Sequence, residues 1–398
     1  MKAILAAVNN QNEEFNILLE ELKGLCKACN IEYTHIMIQN TIPSKAYYLG
    51  KGKAYELKEW IHDEEMVIFN DELSGLQMRN LRALLDIEVT DRTDLILRIF
   101  ASRAHTKEAR LQVEIARLNY ELPRLSGMHQ GIYSQQGGMG FRGAGETQLE
   151  LDRRKIHNRI AGCKKELAVL KKERQIQRKQ RKHKDIIVLT GYTNSGKSSL
   201  MNLYTHKKVE AKDMLFATLQ TSSRKVRIKN RNLIMSDTVG FISHLPTHLI
   251  QAFLSTLEEV KEASLILMII DRSSPYVNKH IEVTLDTLNK LGVKDIPILY
   301  VYNKEDLESQ DFFVPKEPYV FISVKNKTHM NELEDMIITL LTKDYQRVTL
   351  DIPYTNGVLY NELSHKYQII KQEFKDRSIS IVLELDQEDY FKYRQYRI

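Results

Sequence analysis

The strongest fold signal in the chain is a run of eight residues near its middle. It reads Gly191, Tyr192, Thr193, Asn194, Ser195, Gly196, Lys197 and Ser198, which matches G-x-x-x-x-G-K-S. An apolar run at 186–189 precedes it, and a helix-like segment at 199–203 follows. In this strand–loop–helix context, backbone N–H groups curl around phosphates at a helix N-terminus. The pattern therefore predicts an α/β fold with a phosphate-binding loop.

Further positions fit the phosphate and metal side of the same site. We expect Lys197 to reach the β and γ phosphates and Ser198 to give an oxygen to Mg²⁺, which prefers hard oxygen ligands. The run Asp237, Thr238, Val239 and Gly240 follows an apolar strand at 233–235. Asp237 can hold Mg²⁺ through water, while the Gly240 amide can meet the γ-phosphate.

Between these two motifs lies the candidate first switch, which reads Phe216, Ala217, Thr218, Leu219 and Gln220. The Thr218 hydroxyl would complete the metal shell. We therefore predict Lys197, Thr218 and Gly240 as catalytic residues and Ser198 and Thr218 as metal ligands. All residues of the three motifs are predicted to line the nucleotide site.

Two later motifs identify the base. Asn303, Lys304, Glu305 and Asp306 follow an apolar strand at 298–302, and Ser323, Val324 and Lys325 follow another at 319–322. The Asp306 carboxylate can accept N1–H and N2–H₂ of guanine, which adenine does not offer on that edge. Ser323 to Lys325 can support the guanine O6 side. The predicted substrate is GTP.

The residue after Gly240 is Phe241. In Ras-like switches a Gln at this place orients the attacking water, which a phenyl ring cannot do. We therefore predict slow intrinsic hydrolysis that rises when a partner orders the site. His244 and His248 are candidate substitutes, but each also reads as an ordinary histidine.

Composition sets the class and the number of domains. With 398 residues, 42% apolar and 28% charged, the chain is folded and has room for several domains. Its longest apolar runs, 3–8 and 265–270, fall far short of the roughly 18 residues that span a bilayer. Three cysteines fit a reducing compartment. We expect a cytoplasmic, monomeric protein without a membrane span.

Four domains follow from the pattern. They are an N-terminal α/β domain (1–105), an antiparallel helical hairpin with a Gly-rich tip loop (106–184), the P-loop GTPase domain (185–345) and a small C-terminal α+β domain (346–398). In the last we predict a strand at 348–352, a helix at 359–374 and a strand at 379–385. Alternating strands and helices in 1–105 predict a largely parallel sheet. Cys26 and Cys29 continue an apolar helical stripe, which favours core packing over a thiol or zinc pair.

The hairpin carries most of the positive charge. Leu111, Ile115, Leu118 and Leu122 form one stripe, and Ile156, Ile160, Cys163, Leu167 and Leu170 form a second. From Arg153 to Lys184 there are fourteen Lys or Arg against two Glu, so the rest of the chain is net negative although the total is +6. Such a basic rod indicates a nucleic-acid partner, against the simpler interpretation of a solvated helix face.

The tip loop holds seven of the 17 glycines within 127–145. Its Gly138, Gly140 and Gly143 match G-x-G-x-x-G, but a dinucleotide site needs a preceding strand and here a helix precedes. An RNA contact and an ordinary flexible tip both fit the loop.

Several further motifs complete a resemblance that spans nearly the whole chain. The sequence resembles the HflX family of GTPases, in the Obg–HflX group, through these segments: Tyr48–Lys53, Phe69–Ser74, Asp91–Thr93, Leu111–Ala116, Leu122–Leu125, Arg142–Glu150, Phe216–Leu219, Asp237–Ile242 and Leu245–Pro246. A hydrophobic residue at Phe241 is itself typical of that family.

Membership would imply GTP-dependent binding to the large ribosomal subunit and its ribosomal RNA, and dissociation of stalled or stress-idled ribosomes. It would also imply approach of the hairpin loop to the peptidyl transferase centre, with antibiotic displacement in some members. The alternative is an assembly or anti-association factor without splitting activity. Some members are described with ATP binding in the N-terminal half, for which Gly50 to Lys53 is too weak a signal. Gln220, Ala144 and Val324 depart from the usual family residues.

Overall fold

The computed structural model describes residues 1–125, 142–179, 185–205, 215–216, 222–229, 231–243, 258–309, 312–367 and 369–398, without the side chains of 142–148, 174–179, 258–259, 365 and 388. The strands are β1 Lys2–Asn9, β2 Glu32–Asn40, β3 Met66–Phe69, β4 Glu88–Asp91, β5 Ile186–Thr190, β6 Ser222–Ile228, β7 Arg231–Asp237, β8 Leu265–Asp271, β9 Ile298–Asn303, β10 Tyr319–Phe321, β11 Gln346–Pro353, β12 Ile369–Phe374 and β13 Ser378–Leu385. The helices are α1 Phe15–Ala28, α2 Lys51–Glu59, α3 Gly75–Leu85, α4 Arg92–Arg103, α5 Lys107–Glu121, α6 Arg142–Lys179, α7 Lys197–Tyr204, α8 Val277–Lys290, α9 Met330–Leu341, α10 Gly357–Lys366 and α11 Gln387–Lys392.

The N-terminal domain is a parallel four-stranded sheet in the order β2-β1-β3-β4. Buried apolar side chains fill β1 and β3, as expected for a parallel sheet covered on both faces. Side-chain caps begin its later helices: Ser74 and Gln77 form a capping box on α3, and the Asp91 carboxylate accepts the Asp94 N–H on α4. The predicted parallel sheet is confirmed, although the sequence prediction missed β4 and α4.

The hairpin helices pack through the two predicted apolar stripes. Leu111 and Ile115 of α5 form a buried cluster with Ile160 and Cys163 of α6, and Leu118, Ile156, Leu167 and Leu170 border it. Leu122, the last residue of the predicted first stripe, follows the end of α5 and is not a member of this cluster. Thr106 caps α5 by accepting the Ala109 N–H at 3.2 Å. With 38 residues, α6 is about 57 Å long at roughly 1.5 Å per residue. Most of the Gly-rich loop, 126–141, lies outside the described residues.

The nucleotide domain is built on a six-stranded sheet in the order β10-β9-β8-β5-β7-β6. All neighbouring strands are parallel except β6, which pairs antiparallel with β7. Parallel strands joined through helices leave their carboxyl ends at one edge, where ligands bind in open α/β sheets. The predicted P-loop fold is confirmed.

One apolar core is shared by the N-terminal and nucleotide domains. It includes Leu22 and Phe100 from the first and Phe216, Phe241 and Val277 from the second, all buried. We call this group the shared core. Cys26 is a fully buried member and Cys29 packs against it, which confirms that this pair serves packing. Burial raises the pKa of the Cys26 thiol to about 12.

The C-terminal domain corrects one sequence prediction. Its sheet is antiparallel in the order β11-β13-β12, and the helix expected over 359–374 ends at Lys366. Residues 369–374 instead form the edge strand β12, which pairs with β13. Two β-branched residues, Ile369 and Ile370, begin this strand, and pairing with β13 outweighs local helical preference. Within the described part of the chain, no helix combines the length and apolar character needed to cross a membrane.

Candidate nucleotide-binding site

The carboxyl ends of four parallel strands place the site. The P-loop follows β5, Asp237 ends β7, Asp271 ends β8 and Asn303 ends β9. Because β5 lies between β7 and β8, and β9 is next to β8, these ends meet around the P-loop. The sheet therefore brings the predicted motifs to a single edge.

The P-loop needs glycine at both of its motif positions. Gly191 has φ 137° and Gly196 has φ 102°, in the region that favours glycine. A Cβ atom on Gly191 would lie 2.2 Å from the Ile269 carbonyl oxygen, and one on Gly196 would lie 2.2 Å from Nδ2 of Asn303. The loop conformation thus follows from the sequence pattern.

The Lys197 side chain folds back over this loop. Its Nζ donates to the backbone carbonyls of Gly191 (3.1 Å) and Tyr192 (2.6 Å), and the residue is 5% exposed. Burial lowers the pKa of the Lys197 ammonium to about 8, and the Asp237 carboxylate partly opposes this. A phosphate in the loop would supply the counter-charge that this buried ammonium requires.

Ser198, one of the two predicted metal ligands, lies beside Asp237, which is predicted to hold Mg²⁺ through water; the other ligand, Thr218, lies outside the described residues. The Ser198 hydroxyl donates to Oδ2 of Asp237 at 2.8 Å, and Asp237 is almost fully buried. Hydroxyl and carboxylate oxygens at this spacing suit Mg²⁺, a hard cation that retains water ligands. The residues present therefore fit the metal, with Ser198 as a direct ligand and Asp237 acting through water.

The segment from Asp237 to Ser243, which we call the second switch, lies against the P-loop through its backbone. Phe241 donates its N–H to the Gly191 carbonyl (3.1 Å), and its own carbonyl accepts the Thr193 N–H (2.8 Å). The Phe241 ring is buried in the shared core. A Cβ atom on Gly240 would come within 3.0 Å of Nζ of Lys197, so the Gly240 backbone lies beside the phosphate-binding lysine. Thr238 donates its hydroxyl to the Leu189 carbonyl and Val239 is buried.

The base motifs are joined by side-chain hydrogen bonds. Asn303 donates from Nδ2 to the Ser195 carbonyl (2.9 Å) and accepts the Val324 N–H on Oδ1 (3.1 Å). The Ser323 hydroxyl donates to Oδ1 of Asp306 at 2.6 Å and lowers the pKa of that carboxyl. An ionised, oriented carboxylate at Asp306 is the acceptor that the guanine edge requires.

A cleft of about 640 Å³ joins the P-loop to these base motifs. This volume lies within the usual range for small-molecule sites. Its lining residues are Asn194, Gly196, Ser199, Asn202, Leu203, Asn303, Lys304, Asp306, Leu307, Val324 and Lys325.

Some predicted residues lie elsewhere. Phe216 packs its ring against Phe100 of the N-terminal domain, and Glu305 pairs with His329 at 2.8 Å. Ala217, Thr218, Leu219 and Gln220, and also His244 and His248, lie outside the described residues.

The sequence prediction also missed contributors to the site. Asp271 holds the Lys304 ammonium at 2.6 Å, and its position after the apolar run 265–270 was an available signal. The His280 ring stacks on Tyr192 of the P-loop with centroids 3.8 Å apart. Burial lowers the pKa of His280 to about 4, so this ring is neutral. No local pattern marks His280, because it lies on a helix far along the chain.

Comparison with known proteins places this site in a family. Residues 17–101 match a family model described as GTP-binding GTPase N-terminal, residues 103–181 match GTP-binding GTPase Middle Region, and residues 186–304 match 50S ribosome-binding GTPase. A GTPase HflX from Caldanaerobacter subterraneus subsp. tengcongensis is 42% identical over 392 residues, covering 96% of this chain and 91% of its own. The chain belongs to the HflX family of GTPases.

A second HflX relative is similar in sequence along nearly the full length of the chain. The GTPase HflX of Escherichia coli (strain K12) is 35% identical, covering 92% of this chain and 89% of its own. A crystal structure of a GTP-binding protein from Sulfolobus solfataricus in complex with GDP is 27% identical with a TM-score of 0.48, covering 86% of this chain and 99% of that one. The two HflX relatives confirm the resemblance seen in the sequence, and the chain is a GTPase.

Proposed function

We propose that this HflX-family GTPase binds the large ribosomal subunit through its basic hairpin and uses GTP to separate the subunits of stalled or stress-idled ribosomes. The observation that carries this proposal is a row of cations on α6, in a chain that also holds a guanine-nucleotide site. The match to a model described as 50S ribosome-binding GTPase supports the choice of partner.

The cations of α6 divide into two groups by their direction. At about 100° per residue, one flank carries Lys155, Arg159 and Glu166 beside the apolar stripe. This flank is neutralised: Arg159 pairs with Glu114 of α5 through two bonds of 2.5 and 2.9 Å, and Glu166 pairs with Lys107 at 2.9 Å. Lys155 pairs with Asp152 within α6.

The other flank and the outer face keep their positive charge. Five exposed cations there form no ion pair among the described residues, namely Arg153, Arg154, Lys164, Lys165 and Lys172. Cations arranged along one face of a rigid helix release counterions when they meet a phosphate backbone. We call these five residues the basic face, and it fits ribosomal RNA.

The basic face gives a prediction with a matched control. Changing Arg154, Lys164, Lys165 and Lys172 together to Gln should weaken large-subunit binding roughly 100-fold at about 0.15 M salt and lower the salt slope by about 3. The control changes Lys107, Lys155 and Arg159 to Gln on the paired flank and should alter affinity by less than about threefold. Sedimentation with purified large subunits across a salt series measures both. Equal losses in the two variants would contradict a specific RNA face.

Within the site, the chain's own groups hold and polarise the triphosphate. The Lys197 ammonium and the Gly240 amide lie where charge develops on the γ-phosphate, and Asp306 fixes the guanine end. Bound Mg²⁺ would neutralise charge on the β and γ phosphate oxygens, held by Ser198 and, through water, Asp237. We place Thr218 in the same shell. Position 241 offers no polar side chain to orient water, because the Phe241 ring lies in the shared core.

This arrangement predicts slow turnover by the free protein. Adding large subunits at saturating GTP should raise kcat at least about tenfold, because a partner must complete the water-positioning groups. Phosphate release measured with and without subunits checks this. The same kcat in both conditions would contradict the proposal that the ribosome stimulates GTP hydrolysis.

Density gradients separate splitting from the alternative. Whole ribosomes incubated with the protein and GTP should yield free subunits, and a non-hydrolysable analogue should leave the protein bound to large subunits. Association only with immature large particles would instead support an assembly factor. Because α6 is about 57 Å long, a seated hairpin would also compete with antibiotics at the peptidyl transferase centre, which a drug-displacement assay measures.

A further inference from the structure

Helix α4 holds the root of the first switch with its C-terminal end. The Arg103 guanidinium donates to the backbone carbonyls of Leu215 (2.8 Å) and Phe216. The Phe100 ring packs edge-on against the Phe216 ring, with centroids 4.8 Å apart and an interplanar angle of 67°. Leu215 directly precedes the predicted first switch at 216–220, and Phe216 is its first residue. A movement of the first switch would therefore act on α4.

The N-terminal end of α4 reaches the second switch through one intermediate side chain. Arg92 forms an ion pair with Glu21 of α1, and the two residues are 4% and 7% exposed. Oε1 of Glu21 accepts the Ser243 N–H at 3.3 Å. The same N–H lies 2.8 Å from the Tyr192 hydroxyl, so the P-loop joins this contact. Both switches thus contact α4, the first directly at its C-terminal end and the second through Glu21 at its N-terminal end.

The residue before α4 contacts the end of α5 that leads into the tip loop of the hairpin. Asp91 is fully buried, and its Oδ2 lies 3.4 Å from the guanidinium of Arg124, just after α5. Arg124 also donates to the Leu73 carbonyl (2.8 Å) and lies over the Tyr120 ring at 3.5 Å. In addition, only residues 104–106 separate α4 from α5. The hairpin is therefore fixed to the same helix that both switches contact.

Buried charges make this connection stiff. Moving Arg92 away from Glu21, or Arg124 away from Asp91, would leave a charge buried without a partner, which is strongly unfavourable. The groups are therefore expected to shift together between discrete arrangements rather than to deform gradually. A displacement at either switch would then move α5, and with it the hairpin.

We propose that α4 transmits the nucleotide state from both switches to α5 of the hairpin, with Arg92 and Arg103 as positioning residues. This rests on the proposed function, since it supplies the route by which GTP would set how the basic face meets RNA. The motifs Asp91–Thr93 and Leu122–Leu125, which the nucleotide site itself does not use, gain a role in this way.

Hydrogen exchange of the full chain tests the inference without ribosomes. We expect amides in α5 and in 150–170 to differ in exchange rate by about fivefold or more between the GDP form and the form bound to a non-hydrolysable GTP analogue. Arg103→Gln should reduce that difference to about half or less, because only the second-switch contact through Arg92 remains, while nucleotide still protects residues 191–198. Arg103→Lys, which can still reach one carbonyl, should retain part of it. Arg98→Gln is the matched control, because Arg98 lies on α4 but pairs with Asp94 and Glu88, away from both switches.

The outcomes separate the inference from the function on which it rests. A hairpin that exchanges identically in both nucleotide forms of the unaltered protein would overturn the role of α4, even if ribosome affinity depends on GTP. A difference of unchanged size in Arg103→Gln would overturn it as well. Conversely, hairpin exchange could differ between the two nucleotide forms while ribosome affinity is the same in both. That result would overturn the proposed function but not the role of α4. Thermal melting of Arg103→Gln confirms that the variant is folded.

Discussion

Replacing Lys197 with Met is expected to lower kcat/KM for GTP hydrolysis by roughly 30- to 5,000-fold. Lys197 is 5% exposed, and its ammonium donates to two P-loop carbonyls. With GTP bound, we expect this ammonium to pair with the β and γ phosphates. Removing one partner of a buried, hydrogen-bonded charge pair costs about 2–5 kcal/mol, and about 1.4 kcal/mol corresponds to a factor of ten. Methionine fills the volume of the aliphatic stem, so the loss should fall on the chemistry rather than on folding. Steady-state phosphate release over a range of GTP concentrations measures it.

The control for this prediction is Lys229→Met. Lys229 is an exposed lysine in the turn between β6 and β7, where it pairs with Asp335 rather than with the P-loop. Its replacement should change kcat/KM by less than about threefold, as for most surface substitutions. If both variants hydrolyse GTP at the rate of the unaltered protein, the role assigned to Lys197 is wrong.

The second large effect is expected at the base. Asp306→Asn should weaken GTP binding by roughly 10²- to 10⁴-fold, because two hydrogen bonds to a charged acceptor are lost at about 1.5–3 kcal/mol each. The variant should gain affinity for xanthosine triphosphate, whose 2-oxo group accepts from the new amide. Ser323 can still donate to Oδ1 of the substituted residue, so the loop should keep its conformation. Competition binding with the two nucleotides measures the change in preference.

The neighbouring Glu305 provides the control. Its carboxylate pairs with His329 at 2.8 Å, and it is not among the residues that line the cleft. Glu305→Gln should therefore leave the preference for GTP unchanged within about threefold. A variant of Asp306 that still prefers GTP over the xanthine nucleotide would show that another group reads the base.

Local patterns predicted the elements whose apolar residues repeat regularly. All predicted stripe residues of the hairpin except Leu122 belong to one packed cluster, because a long helix pair repeats its contacts every three or four residues. The region 88–103 was missed for the opposite reason. β4 is four residues long, and α4 buries Arg92 and Thr93, which interrupt the apolar period.

The long-range contacts could not be predicted from local sequence patterns. Glu21 and Ser243 are 222 positions apart, and neither residue type signals the contact. In the same way, the helix expected to continue to 374 is replaced by β12, because a partner strand later in the chain decides its conformation. The motif residues at the carboxyl ends of strands could be predicted from the sequence, since parallel topology alone brings them together. The buried ion pairs at α4 were not, because they depend on how two domains meet.

The shared core has a consequence for recombining members of this family. Phe100 and Phe216 come from different halves of the chain yet fill one interior, together with Leu22 and Phe241. Each half alone would therefore expose apolar side chains that the other half normally covers. A chimaera that joins the first hundred residues of one relative to the catalytic portion of another would bring together two faces shaped for absent counterparts. We therefore expect the two halves to have evolved together. A substitution in one half that changes this interface should be compensated by a substitution in the other half.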